Sequence, residues 1–279
     1  MLSYRHGFHA GNAGDVFKHA ALAAALSLLT RKGKPLCYLE SHAGAGRYDL
    51  GDARAQQTGE FRAGIGRLWD RADVPAALQP YLQAVRAENP DGVLRRYPGS
   101  PAVAAAVLRP CDRLVLMELN AGDGDALRTT LRGDGRAAVH RRDGYEGLLA
   151  LVPPRERRGL ALLDPSYEVE SDYSDVVRTV AAAHARWPGG CYAIWYPLLE
   201  GARSIRLERR LVATGLRRVL CSELRVDDRD GPGMKGAGML WVNPPWTLDA
   251  VLRDLLPWLA LTLRVGGKGA HRLEWLVGE

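Results

Sequence analysis

Short apolar runs that end in polar, glycine-bearing turns recur along the chain, and stretches with the spacing of amphipathic helices lie between them. Residues 36–40, 114–117, 137–140, 160–163, 191–196, 219–226 and 239–242 read as seven strands. Asp15 is placed to cap a first helix through residues 20–26 that stops at Arg31, Lys32 and Gly33, and Ser100 to cap another through residues 104–108. This alternation predicts an α/β fold, one seven-stranded sheet with helices on both faces. A glycine-rich loop, residues 231–238, is too short for a crossover helix, so the last two strands are expected to form an antiparallel pair at the sheet edge. Residues 50–99 are polar and punctuated by glycine and proline, with helical pieces near residues 61–70 and 76–87; they read as a small helical insertion.

Composition narrows the class. With 279 residues, 47% hydrophobic and 25% charged, the chain is an ordinary globular one with material for one large core. The apolar stretch at residues 20–29 is too short to span a bilayer and the N-terminus lacks a signal-peptide pattern, so a cytoplasmic location is expected. Cys37, Cys111, Cys191 and Cys221 are far apart and read as buried free thiols. His6, His9 and His19 complete no tetrahedral ligand set, so no metal is expected. Trp187, Trp195, Trp241, Trp258 and Trp275 read as core. The net charge of +6 favours an acidic partner, and nucleic acid is the obvious one. Basic clusters at residues 31–34, 95–96, 141–142, 155–158 and 203–210 are candidates for phosphate contact.

The candidate chemistry sits where strands end. Leu160, Ala161, Leu162 and Leu163 run into Asp164, Pro165, Ser166 and Tyr167. In an open α/β sheet, ligands occupy the crevice beyond the carboxyl ends of the strands. A carboxylate, a proline carbonyl and an aromatic ring there suit the exocyclic amine of a planar base. The adenine N6 lone pair is delocalised into the ring, so a site that alkylates it should hold both N–H bonds with acceptors. Asp164 and the Pro165 carbonyl can do so, and Tyr167 can stack on the base. The first strand empties into His42, Ala43, Gly44, Ala45 and Gly46, a glycine turn of the cofactor-binding kind, and the next two strands end at Glu118 and Asp143. Asn243, Pro244, Pro245 and Trp246 form a second turn of similar wording, but on the last strand, and read as structural.

Taken together, these strings resemble the RlmJ family of bacterial 23S rRNA adenine-N6 methyltransferases. The likeness runs from residues 1–12 through Asp15, Lys18, His19, residues 42–48, 97–101, Asp143, Gly144 and residues 195–197 to 243–246. It implies a Rossmann-like class I methyltransferase sheet, a catalytic domain from residues 1–49 and 100–279, and S-adenosylmethionine as cofactor. By resemblance, Lys18, His19, His42, Gly44, Gly46 and Ser100 surround the methionine part, Glu118 the ribose, and Asp143 with Gly144 the adenine. Asp164 also borders the cofactor and takes the proton of the target amine, with Pro165 and Tyr167 completing the catalytic turn. Tyr4, Arg5 and His6, together with Tyr167, are the expected contacts to substrate RNA. Ser166 stands where the family turn has a second proline; Asp164, Pro165 and Tyr167 remain, so activity is expected to survive. The expected partner is 23S rRNA, with no membrane and no obligate protein partner, the chain acting as a monomer. A nicotinamide oxidoreductase would share the glycine turn, a DNA or protein-glutamine methyltransferase would share the Asp164 turn, and a non-catalytic RNA-binding protein would keep the fold alone.

Overall fold

The computed structural model describes residues 5–229 and 233–278. In chain order the regular elements are α1 (Ala13–Thr30), β1 (Cys37–Glu40), β2 (Arg47–Asp49), α2 (Ala53–Thr58), α3 (Glu60–Ala63), α4 (Gln79–Ala87), β3 (Arg96–Pro98), α5 (Ser100–Val107), β4 (Arg113–Met117) and α6 (Ala121–Thr130). They continue as β5 (Ala137–His140), α7 (Gly144–Leu151), β6 (Gly159–Leu163), α8 (Asp172–Arg186), β7 (Cys191–Leu198), α9 (Arg203–Ala213), β8 (Val219–Arg225), β9 (Gly236–Val242), α10 (Leu248–Leu263) and β10 (Ala270–Val277).

Eight strands form the main sheet in the order β10-β8-β9-β7-β6-β1-β4-β5. β1, β4, β5, β6 and β7 pair in parallel, and β9 runs antiparallel to both β7 and β8. The sheet therefore has one strand more than expected, and the β8–β9 pair is not at the edge, because β10 pairs antiparallel with β8. Alternation splits the core between the two faces. Tyr38, Leu114, Leu116, Leu160 and Leu162 face a cluster shared with α1, α5, α6 and α10. Leu39, Val115, Met117, Ala161 and Leu163 face another shared with α7, α8 and α9. Burial on both sides explains why these strands read as unbroken apolar runs.

Residues 50–95 leave and rejoin the sheet layer through the two-stranded β2–β3 ladder, in which Tyr48 pairs with Tyr97. Their helices carry Ile65, Leu68, Leu78, Tyr81, Leu82 and Val85 into the same core as α1. Two caps differ from expectation. Asn12 is the N-cap of α1, accepting from Asp15 N at 2.9 Å, while the Asp15 carboxylate reaches back to Gly11 N. Gly99 is the N-cap of α5, which frees the Ser100 hydroxyl for another partner. Cys37, Cys191 and Cys221 are buried but Cys111 is exposed, and Trp275 is 40% exposed on β10 rather than in the core. No described helix is long and apolar enough to cross a membrane.

Candidate active site

The carboxyl ends of β1, β4, β5 and β6 bring the expected residues to one edge, and α1 supplies the base on which they rest. Asn12 starts α1 so that Asp15 and Lys18 lie one turn apart on the same face. Lys18 Nζ donates to Asp164 Oδ2 at 2.7 Å and stands 3.0 Å from Asp15 Oδ1, with the Trp195 ring centroid 5.3 Å away. His6 Nε2 lies 2.9 Å from the other Asp15 oxygen. Lys18 and Asp15 are buried, and only 14% of the Asp164 side chain is exposed. Burial pushes the Asp15 carboxyl up, but His6 and Lys18 outweigh it and hold the group well below the usual carboxylate range. The result is a chain of alternating charge that ends on the carboxylate at the head of β6.

The turn after β1 is fixed between its neighbours, Ser41 N donating to Leu162 O and Ala43 N to Met117 O. Gly44 and Gly46 take φ values of 60° and 74°, where a side chain would be strained, and a Cβ on Gly44 would meet the Tyr48 hydroxyl at 2.6 Å. Gly44 N donates to Glu118 Oε2 at 2.8 Å, so the β4 acid and the glycine turn are one unit. Asp143 caps α7 by accepting from Glu146 N, and a Cβ on Gly144 would stand 1.8 Å from Ser41 O. His42 bonds Ser41 Oγ at 2.7 Å and meets Tyr145 edge-on; burial lowers its pKa to about 4, keeping the ring neutral. His19 is buried behind Lys18, with Nδ1 2.8 Å from the Tyr97 hydroxyl and its pKa lowered by burial to about 3. In the tautomer where the Tyr97 hydroxyl donates to Nδ1, Nε2 carries the proton and is a buried donor without a partner among the described residues.

Sequence reasoning missed Glu40, Asp15 and Trp195 as parts of this edge. Glu40 is fully buried at the end of β1, where Ser100 Oγ donates to one carboxylate oxygen and Tyr38 donates to the other at 2.8 Å. Burial raises its pKa to about 8, against the two hydrogen bonds, which act the other way. A carboxyl raised in the folded state contributes stability below its unfolded value of about 4.3 and loses that contribution as the pH climbs through 8. Glu40→Gln, which mimics the neutral form, is therefore expected to flatten the fall in thermal midpoint between about pH 5 and pH 9. An unchanged slope would show that Glu40 is already ionised in the folded chain at neutral pH. The signal in sequence is an acid closing an apolar strand, but only packing shows that it is sealed from solvent.

The packing changes the expectation for Tyr167 and agrees with the structural reading of the Asn243 turn. Tyr167, with φ of 55°, is 6% exposed; its ring lies against Tyr173 and Trp195, and its hydroxyl donates to Trp195 O at 2.6 Å. It offers no open face to a base and instead ties the turn to β7. Asn243 follows β9, whose antiparallel course puts Val242 opposite Tyr192, at the amino end of β7. The Asn243 turn thus lies at the opposite edge of the sheet from Asp164, bonded to Pro188 O and Gly190 O. Trp246→Ala, although it removes an 82% exposed ring, is expected to leave methyl transfer within about twofold of the parent. A larger loss in a folded variant would place that edge in the reaction. Arg5 is exposed beside the short helix that holds His6; Tyr4 lies outside the described residues.

A family model described as ribosomal RNA large subunit methyltransferase D, RlmJ, matches residues 33–277. The chain belongs to this family. Two relatives named ribosomal RNA large subunit methyltransferase J agree along their whole length. That of Escherichia coli is 45% identical and that of Haemophilus influenzae 43%, each alignment covering 100% of both chains. Among solved structures, a Legionella pneumophila protein superposes with a TM-score of 0.90 at 34% identity, over 96% of this chain and 98% of that one. RlmJ membership makes the chain a methyltransferase with the class I sheet, and the acids at the ends of β4, β5 and β6 occupy the edge that fold uses for ligands.

Proposed function

We propose that the chain transfers a methyl group from S-adenosylmethionine to the N6 amine of an adenine in 23S rRNA. The observation that carries this reading is the Lys18–Asp164 pair at the head of β6, buried beside a glycine turn locked to Glu118. A cofactor with an amino-acid end, a sugar diol and a purine fits the residues present: Lys18 and His19 would hold its amino-acid end, Glu118 would accept from its hydroxyls, and Asp143 with the Gly144 backbone would hold the purine. When bound, it supplies an electrophilic methyl group on a sulfonium.

The chain's own residues then act on the amine. Asp164 and the Pro165 carbonyl accept its two N–H bonds, which localises the lone pair on nitrogen and points it at the donor. The proton that the nitrogen sheds as the new N–C bond forms goes to the Asp164 carboxylate. Lys18 fixes that carboxylate in position, and Tyr167, through Trp195 O, fixes the turn.

Labelled methyl transfer to protein-free 23S rRNA, with the product nucleoside identified, tests the reading. N6-methyladenosine is the expected product, and methylation of another nucleoside or of competing DNA or protein would overturn it. A base inside structured RNA must be extruded at a cost of a few kcal/mol, least where it is unpaired. Protein-free RNA is therefore expected to outpace intact large subunits, and equal rates on both would remove that preference.

A further inference from the structure

We propose that the solvent face of α9 docks the RNA strand that flanks the target base, with Arg206, Arg209 and Arg210 as its phosphate contacts. This rests on the rRNA reading above and goes beyond it by assigning the surface that holds the substrate. α9 buries Leu207 and Leu211 against α8 and the sheet, leaving Arg203, Arg206, Arg209 and Arg210 exposed on the opposite side. Over 11 residues that face is about 16 Å long. It begins at the active edge: α9 follows β7, the neighbour of β6, and its first turns are linked to the loop after Asp164. Glu170 in that loop lies 3.3 Å from Arg203 and 3.5 Å from Arg206.

Position and pairing separate this cluster from the basic segments at the far edge and in residues 50–99. Residues 31–34 and 155–158 lie at the opposite sheet edge, where Arg109 and Arg158 are used up on backbone carbonyls of residues 29–34. In residues 50–99, Arg54, Arg71 and Arg95 are each paired with a nearby acid, Asp52, Asp73 and Asp91. Arg209 and Arg210 make no ion pair among the described residues; Arg31, Lys32, Lys34 and Arg157 make none either, but they lie at the far edge. The Glu170 pairs are exposed on both sides, so they contribute little to the fold and a phosphate can replace the carboxylate. Exposed Val169 and Ile205 add apolar surface to the same strip, a mixture that suits sugars and unstacked bases beside phosphates.

Binding of protein-free 23S rRNA, measured across a salt series, decides the proposal. The triple variant Arg206→Ala, Arg209→Ala, Arg210→Ala is expected to bind at least tenfold more weakly, with a salt slope shallower by about two, while its thermal midpoint and cofactor affinity stay those of the parent. Glu170→Ala, which removes the competing carboxylate, is expected to tighten binding several-fold at low salt. A control that removes Arg155 and Arg157 at the far edge should match the parent. A parent that methylates rRNA and an α9 variant that binds with unchanged affinity and slope would overturn the docking surface alone. A parent that transfers no methyl group to rRNA would overturn the reading of function, and the docking surface with it.

Discussion

Asp164→Asn is expected to lower methyl transfer to rRNA by about a thousandfold while leaving the fold intact. The amide has the shape of the carboxylate and can still accept one N–H bond from a bound amine. It cannot take up the proton that the nitrogen must lose, and its neutral oxygen holds Lys18 less firmly than the 2.7 Å contact in the parent. Lys18 keeps Asp15 at 3.0 Å, so no buried charge is abandoned and the thermal midpoint should move little. Single-turnover transfer of labelled methyl, with thermal unfolding alongside, separates the two effects. Transfer at the parental rate would move the proton acceptor elsewhere.

Lys18→Met is expected to be the more damaging change to the fold. It removes a cation that is 5% exposed from between two carboxylates and leaves Asp15, itself 3% exposed, with the His6 ring and the Gly11 N–H as its remaining contacts. Removing one member of a buried pair costs about 3–5 kcal/mol. The pH dependence should shift with it. In the parent, the depressed Asp15 carboxyl contributes stability that is present above its unfolded value near 3.9 and lost as the pH falls through the lower folded value. Without Lys18 the effect of burial gains on the remaining attraction, the carboxyl rises, and acid unfolding should begin at higher pH. Adding Asp15→Asn to Lys18→Met should recover part of the stability but none of the transfer, because Asp164 remains unsupported. If the double variant is no more stable than the single one, the cost lies in packing around the Lys18 stem against Trp195 and not in the uncompensated acid.

The elements missed in sequence share a cause. β10 is an edge strand in which every residue is exposed or half-buried and charged side chains are mixed with apolar ones, so Ala270–Val277 lacks the buried apolar run that marks its neighbours. β2 and β3 are three residues each and exist only because they pair with one another. The helical pieces in residues 50–99 were visible as helices, but their apolar sides complete the core of α1 and α10, which no local pattern declares.

By itself the sequence determined the central strands, the glycine turn and the acids that close β4, β5 and β6, and through its end-to-end likeness to a methyltransferase family the class of chemistry. The first three are local properties: apolar runs end where the chain leaves the core, and short turns need particular residues. Only the tertiary structure decided which charges meet. Asp15, Lys18 and Asp164 span 146 residues from Lys18 onward, and what joins them is the packing of α1 across the end of β6. It also decided that Glu40 is sealed under Ser100, that Tyr167 braces the turn, and that the Asn243 turn sits at the wrong edge. Burial and long-range pairing set those outcomes, because the electrostatic character of a side chain depends on the neighbours that folding gives it.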